Sequence, residues 1–335
     1  MPVVNRFKFL NPESRHSMTS PTINRRNFSI AGAAMLGFPA YVRAQTTKLR
    51  VSTIPIIDTA PLQVAIAKGF FAEEGLEVDT TPTAGGAAGL PALAAGQVQV
   101  TFSNIISIAL GFEIITAGSN TGERAPDLAG LVVKKGSSLK TGKDFEGKRI
   151  AVNTRNNIIW LYARAWVRAT GGNPDAVTYL EVPFPQMIDA VRGDRVDAAF
   201  VVEPFLSAGV ASDAVSVAAW PYNIVGKNIP VGMYAASKTF IAQNPQVIEK
   251  FVRAHQKAVG WANQNKGSSE WLKIVSAYTR LSPDALKGLK LPPYNKTVDV
   301  PGIDAVVDQM RKHGLLEGSI DTKALMYRTA TTVLG

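Results

Sequence analysis

Two distant stretches of the chain spell the same junction: Ala92-Leu93-Ala94-Ala95-Gly96-Gln97-Val98-Gln99-Val100 and Ala190-Val191-Arg192-Gly193-Asp194-Arg195-Val196-Asp197-Ala198. Each reads as a helix end, a stopping glycine, polar residues and a strand. Glycine past the last helical turn accepts the backbone conformation that closes a helix. The echo has no short repeat period. It predicts two similar lobes in which strands alternate with helices, the pattern that builds parallel-rich sheets covered by helices. A length of 335 residues suits two such units.

The first lobe opens with a strand at Leu49–Ile54, a loop at Pro55–Thr59 and a helix entered at Pro61 and ended at Lys68-Gly69. A strand follows at Leu76–Asp79. Gly85-Gly86 opens a small-residue helix, Val98–Phe102 is the next strand, and Ser103-Asn104 caps the next helix. The pattern restarts at Arg149–Val152. A loop at Asn153–Asn156, a helix to about Thr170, a strand at Val177–Val182, a helix from Pro183 and a strand at Asp197–Val202 complete the second lobe. Leu128–Gly136 and Ile229–Ala235 are apolar and extended, and are expected to cross between lobes. Asn244-Pro245, Ser282-Pro283 and Pro301-Gly302 each predict a helix start in the tail. The expected division is 45–132 plus 233–335 for a discontinuous first lobe and 133–232 for the second.

Residues 1–44 are expected to be an export signal. Asn24-Arg25-Arg26-Asn27-Phe28 precedes a short apolar run, and Val42-Arg43-Ala44 fits a small-residue cut site, with cleavage near Ala44. The arginine pair suggests the twin-arginine type, and so a periplasmic product. This segment carries six basic residues against Glu13, half of the net charge of +10. The rest is scattered, without the basic stripe that nucleic-acid binding needs. The chain has no cysteine, which excludes disulfides, thiolate metal sites and a cysteine nucleophile. Three dispersed histidines give no paired metal ligands. Neither metal nor cofactor is expected.

Ligands of open α/β sheets bind beyond the carboxyl ends of strands, at helix starts. That rule selects Ile57-Asp58-Thr59, Gly85-Gly86-Ala87 and Ser103-Asn104 in the first lobe, and Thr154-Arg155-Asn156-Asn157 and Glu203 in the second. Arg155 is a candidate clamp for a carboxylate or sulfonate. Against these stand plainer roles: capping for Asp58, Ser103 and Asn104, a solvated or surface-paired Arg155, and a hinge brace for Glu203. Phe184, Trp220 and Tyr222 are candidate cleft walls or core residues.

The segment Pro61-Leu62-x-x-Ala65-x-x-Lys68-Gly69-Phe70-Phe71-x-x-x-Gly75-Leu76-x-Val78 resembles the opening of solute-binding proteins for nitrate, sulfonate and taurine ABC transporters. That family also includes binding proteins for thiamine pyrimidine precursors. The similarity continues through Gly85-Gly86, Ala92-Leu93-x-x-Gly96-x-Val98, Asp197-Ala198-Ala199-x-x-x-Glu203-Pro204-Phe205 and Met310–Leu316. It implies an α/β type II periplasmic-binding-protein fold, two lobes joined by two crossover strands, with a small solute held between them. It also implies an inner-membrane permease with its ATPase as partner. Carried over by position, the family's ligand contacts fall on Ile57, Asp58, Gly86, Ala87, Asn104, Thr154 and Glu203. The loop Asn153-Thr154-Arg155-Asn156 departs from the small residues common there, which argues against a nitrate-sized site and for an organic anion.

The leading expectation is therefore a monomeric ABC solute-binding protein for a sulfonate or a carboxylate. A pyrimidine thiamine precursor or an amino sulfonate is the alternative ligand, because Asp58 and Glu203 suit an amine. An enzyme of this fold is disfavoured. The iron-dependent relatives use a cysteine-rich motif absent here, and Gly136–Asp144 only approaches a phosphate loop. A sensor or scaffold is the remaining alternative.

Overall fold

The computed structural model describes residues 46–109 and 111–335; the expected export signal lies outside them. The described residues form two five-stranded sheets. The first contains β1 (Thr47–Thr53), β2 (Leu76–Pro82), β3 (Val100–Ser103), β4 (Phe112–Asn120) and β10 (Pro230–Ser237), in the order β2-β1-β3-β10-β4. The second contains β5 (Ala129–Lys134), β6 (Arg149–Val152), β7 (Thr178–Glu181), β8 (Ala198–Val202) and β9 (Val215–Ala219), in the order β7-β6-β8-β5-β9. In the first sheet β1 pairs in parallel with β2 and β3, whereas β10 runs against β3 and β4. In the second, β6 pairs in parallel with β7 and β8, whereas β5 runs against β8 and β9. Each sheet thus receives one antiparallel strand, and that strand arrives from the other lobe. This exchange is the type II periplasmic-binding fold.

The crossings fall earlier than the sequence suggests. Chain passes between sheets within 121–128 and within 220–229. The expected boundaries at 132/133 and 232/233 lie inside β5 and β10. Those stretches are apolar because they are buried strands, not because they bridge lobes: every residue of β5 but Lys134 is buried, and so is β10 up to Ser237.

Local signals explain most elements. Helix Ala60–Ala67 has Pro61 in its first turn and ends before Gly69, whose φ of 74° needs no Cβ. Helix Ile158–Ala169 is capped by Asn157, whose Oδ1 accepts from the Ile159 amide at 3.0 Å. In the tail, helices Pro245–Asn265 and Val300–Lys312 start where their prolines predict. Ser282-Pro283 does not start a helix: residues 283–288 form turns, closed by Gly288 at φ 77°. Helix Ser269–Thr279, capped by Ser268, lies just before it and carries no proline signal.

Candidate functional site

The carboxyl ends of β1, β3, β6 and β8 face one another across the lobes. They line a chamber of about 30 Å³ whose polar walls are Asp58, Ser103, Asn104, Asn153, Asn157 and Tyr222. Ile54, Phe102, Ile159, Phe184 and Val202 are among its apolar walls. A second chamber of about 270 Å³ adjoins it, sharing Ile54, Ile56 and Phe184 and continuing along Pro55, Pro82, Pro183, Pro185 and Phe205. It has no charged side chain in its lining.

Asp58 dominates the inner chamber. It sits in a 3₁₀ turn, Ile57–Thr59, and is 3% exposed. Thr59 fixes the turn by donating to the carbonyls of Ile54 (2.8 Å) and Ile56 (3.0 Å). Ser119 Oγ of β4 donates to Asp58 Oδ1, while Oδ2 has no hydrogen-bond partner among the described residues. Burial pushes this carboxyl up to about 6, with Ser119 pulling the other way. Beside it, Ser103 Oγ and Asn104 Oδ1 are also buried without partners among the described residues. Asn104 stands at the N-cap position of helix Ile105–Ile108 yet makes no side-chain cap. From the second lobe, Asn153 Nδ2 donates to the Ala84 carbonyl at 3.3 Å, leaving its Oδ1 unpartnered in the chamber wall. A buried acceptor without a partner costs about 1–3 kcal/mol. Several around one chamber mark a surface made for another molecule's donors.

Of the residues selected from sequence at strand ends, Asp58, Ser103, Asn104 and Asn157 line the chamber; the others do not. Ile57 lies behind it, fully buried, and Thr59 is engaged by its own turn. Gly86 packs against β3, where a Cβ would come within 2.8 Å of Ser103 Cα. Ala87, in the same 3₁₀ turn, is half-buried. Thr154 Oγ1 accepts from Asn157 Nδ2 at 2.8 Å. Arg155 is exposed and held to its own lobe: its amide donates to Glu181 Oε1 at 2.6 Å, and its guanidinium to the Tyr179 carbonyl at 2.8 Å. The expected anion clamp therefore points away from the chamber. Asn156 is exposed, at φ 51°.

Glu203 is buried completely but serves the interface between lobes. Its carboxylate accepts from Ser207 N (3.0 Å) and Oγ (2.6 Å) on its own lobe and from Lys290 N (3.0 Å) on the other. Its carbonyl accepts from Ile57 N at 3.0 Å. Burial raises its pKa, against those donors. Gly85 completes the closure: a Cβ there would lie 2.7 Å from Asn153 Nδ2 and 2.8 Å from Thr154 Oγ1 across the cleft.

Sequence reasoning selects Ser103 and Asn157 only as members of strand-end segments, treats Asn153 as loop and leaves Tyr222 undecided. Their signal is position: Asn153 and Ser103 end a strand or directly follow one, and Asn157 starts the following helix. Trp220 does not line the chamber.

A two-lobed periplasmic-binding fold with a chamber lined from both lobes defines a class of solute-binding proteins. Within it, residues 56–267 match the NMT1/THI5-like family, and the chain belongs to that family. It is 25% identical over 279 residues to the nitrate/nitrite binding protein NrtA of Nostoc sp., covering 77% of this chain and 63% of the relative. The chain thus spans less than two thirds of that relative's length. It is 25% identical over 300 residues to the taurine-binding periplasmic protein of Escherichia coli, covering 84% and 88% of the two chains. The alkanesulfonate-binding protein SsuA of Xanthomonas axonopodis pv. citri, solved bound to MOPS, superposes with a TM-score of 0.70 at 16% identity, covering 84% of this chain and 98% of that one. No helix of the described residues is long and apolar enough to cross a membrane.

Proposed function

We propose that this protein is the solute-binding component of an ABC importer. It is exported by a twin-arginine signal over residues 1–44 and works as a periplasmic monomer. It closes its lobes over one small molecule and presents it to an inner-membrane permease driven by its ATPase. The observation that carries this reading is the set of buried, partnerless polar atoms on Asp58, Ser103, Asn104 and Asn153, contributed by both lobes to one chamber. Binding supplies what these atoms lack, and the bonds through Glu203 and Asn153 hold the lobes together once it has.

The walls favour binding over turnover. Ser103 is the only hydroxyl nucleophile of an aliphatic side chain in the lining, and no histidine lies there to activate it. For the ligand, the organic anion expected from sequence finds no cationic side chain in the inner wall, and Arg155 is engaged elsewhere. The amine-bearing alternative finds a carboxylate.

The test is native mass spectrometry and small-angle scattering of protein isolated from the periplasm. One solute per chain is expected, and its removal should enlarge the radius of gyration as the lobes part. A protein that carries no solute and keeps one radius in every solute mixture overturns the reading.

A further inference from the structure

We infer that the cleft takes an organic cation: an amine or amidine head in the inner chamber against Asp58, and an apolar, ring-sized body in the proline-lined outer chamber. This deepens the solute-binding reading and rests on it.

The inner chamber sets the head group. A carboxylate cannot be turned into a donor by rotation, so Asp58 Oδ2 is a fixed acceptor. Asn153 Oδ1 is a second, because its Nδ2 is engaged by the Ala84 carbonyl. Asn104 Oδ1 and the Ser103 hydroxyl add capacity on the same side. An ammonium or amidinium brings donors only, which is what two fixed acceptors demand. A sulfonate, carboxylate or nitrate brings acceptors only, and would lie beside a carboxylate with no compensating cation in the wall.

The surroundings of Asp58 carry no positive charge that would make it a ready anion partner. The titratable groups that act on it or feel it are Asp127, Tyr222, Tyr234, Tyr278 and Tyr294, all acidic or neutral. Burial holds the four tyrosines far above their usual range, so they stay neutral hydroxyls. The carboxyl, pushed up to about 6, is still mainly ionised at neutral pH, and a bound cation would hold it so.

The outer chamber sets the body. At about 270 Å³ it exceeds the ~150 Å³ cavity that accepts a benzene ring. The rigid faces of Pro55, Pro82, Pro183 and Pro185 and the rings of Phe184 and Phe205 offer apolar area. The inner chamber, about 30 Å³, is much the smaller of the two and takes the head group.

The test uses the exported chain, freed of solute by mild denaturation and refolded. Calorimetric titrations at pH 7.5 compare benzylamine and benzamidine, both cations at this pH, with benzoate, benzylsulfonate and nitrate. The nitrogen bases are expected to bind at least ~30-fold more tightly than their anionic counterparts. Asp58→Asn should lose at least ~10-fold for benzylamine, the scale of one charge-assisted hydrogen bond. The comparison of probes on the unaltered protein stands even if that variant folds poorly. Binding of an anion as tightly as the bases, or more tightly, overturns the cation assignment and leaves solute binding intact. If no probe binds, native mass spectrometry of protein from cells decides. A bound base supports the assignment; a bound solute without a basic nitrogen overturns it alone; no bound solute overturns it together with the solute-binding reading.

Discussion

The two lobes bring equivalent junctions to the cleft and use their polar residues differently. In the first lobe, Asp58, Ser103 and Asn104 follow or end β1 and β3, and each keeps a buried atom without a partner among the described residues. In the second, the residues after β6 and β8 are largely engaged at home. Asn157 caps its helix, Thr154 accepts from Asn157, Arg155 is tied to Tyr179 and Glu181, and Glu203 is tied to Ser207. Asn153 is the exception, with one oxygen left over. The difference teaches a division of labour. Under the proposed function, the first lobe would recognise the solute and the second would serve as a preorganised lid, its links to the first running through Glu203 and Asn153.

The strongest test of that division is Asp58→Asn. Loss of a charge-assisted hydrogen bond should weaken solute binding by ~1.5–3 kcal/mol, about 10- to 150-fold, in a calorimetric titration. The apo protein should become more stable at the same time. The folded pKa is raised from 3.8 to about 6, so the ionised carboxylate destabilises the fold above pH 6, and this penalty disappears as pH falls toward 3.8. At pH 7.5 the variant should gain up to ~3 kcal/mol over the parent, because each tenfold change in an acid constant on folding is worth ~1.4 kcal/mol. The gain should vanish near pH 4 in denaturant melts. Solute affinity of the parent should fall as pH drops through 6, because binding then has to expel a proton. A variant that binds as well as the parent would place recognition elsewhere.

Gly85→Val probes the lid and leaves the first-lobe acceptors on Asp58, Ser103 and Asn104 untouched. The backbone at Gly85 is extended, with φ −175°, so a side chain introduces no backbone strain there. The clash is with Asn153 and Thr154 across the cleft. Solute affinity should fall by ~1–3 kcal/mol, the usual cost of overpacking, while the apo melting temperature stays within about 1 °C of the parent. An equal loss in both would mean that the lobes are already locked together without solute. Glu203→Ala should act more weakly. It frees the Lys290 amide and the Ser207 hydroxyl, and removal of bonds worth ~0.5–1.5 kcal/mol each should reduce affinity about 3- to 10-fold, with Glu203→Gln recovering most of it.

Much of this division is legible in the sequence. The repeated helix–glycine–strand junction and the proline-marked helix starts point to the two lobes, because those signals are local. The crossings lie outside the expected 128–136 and 229–235 because a buried strand and a buried connector are equally apolar; only the pairing of β5 and β10 distinguishes them. The switch-point rule locates the right loops but not the right atoms. Asp58 and Asn104 face the chamber while Ile57, Thr154 and Arg155 do not, since side-chain direction within a tight turn depends on which carbonyls and amides are close by. The Tyr179 carbonyl that holds Arg155 is 24 residues away, a pairing no local pattern reveals.

Arg155→Ala provides the smallest and most discriminating expectation. If charge alone guided recognition, this exposed guanidinium on the second lobe would be the natural partner of an anionic solute, and its loss would cost about 10-fold or more. Its hydrogen bond to the Tyr179 carbonyl instead keeps it on its own lobe, outside the chamber lining. Truncation should therefore change solute affinity by less than about 2-fold. It should lower stability by no more than ~1 kcal/mol, the ordinary worth of one partly exposed hydrogen bond. Titration at two salt concentrations sharpens the result. A cationic solute would be repelled weakly by Arg155, so its removal should leave affinity unchanged or slightly improved, and more so at low salt, where surface charges are least screened. A loss of affinity that grows at low salt would reverse the division between the lobes and make the second one a recognition surface.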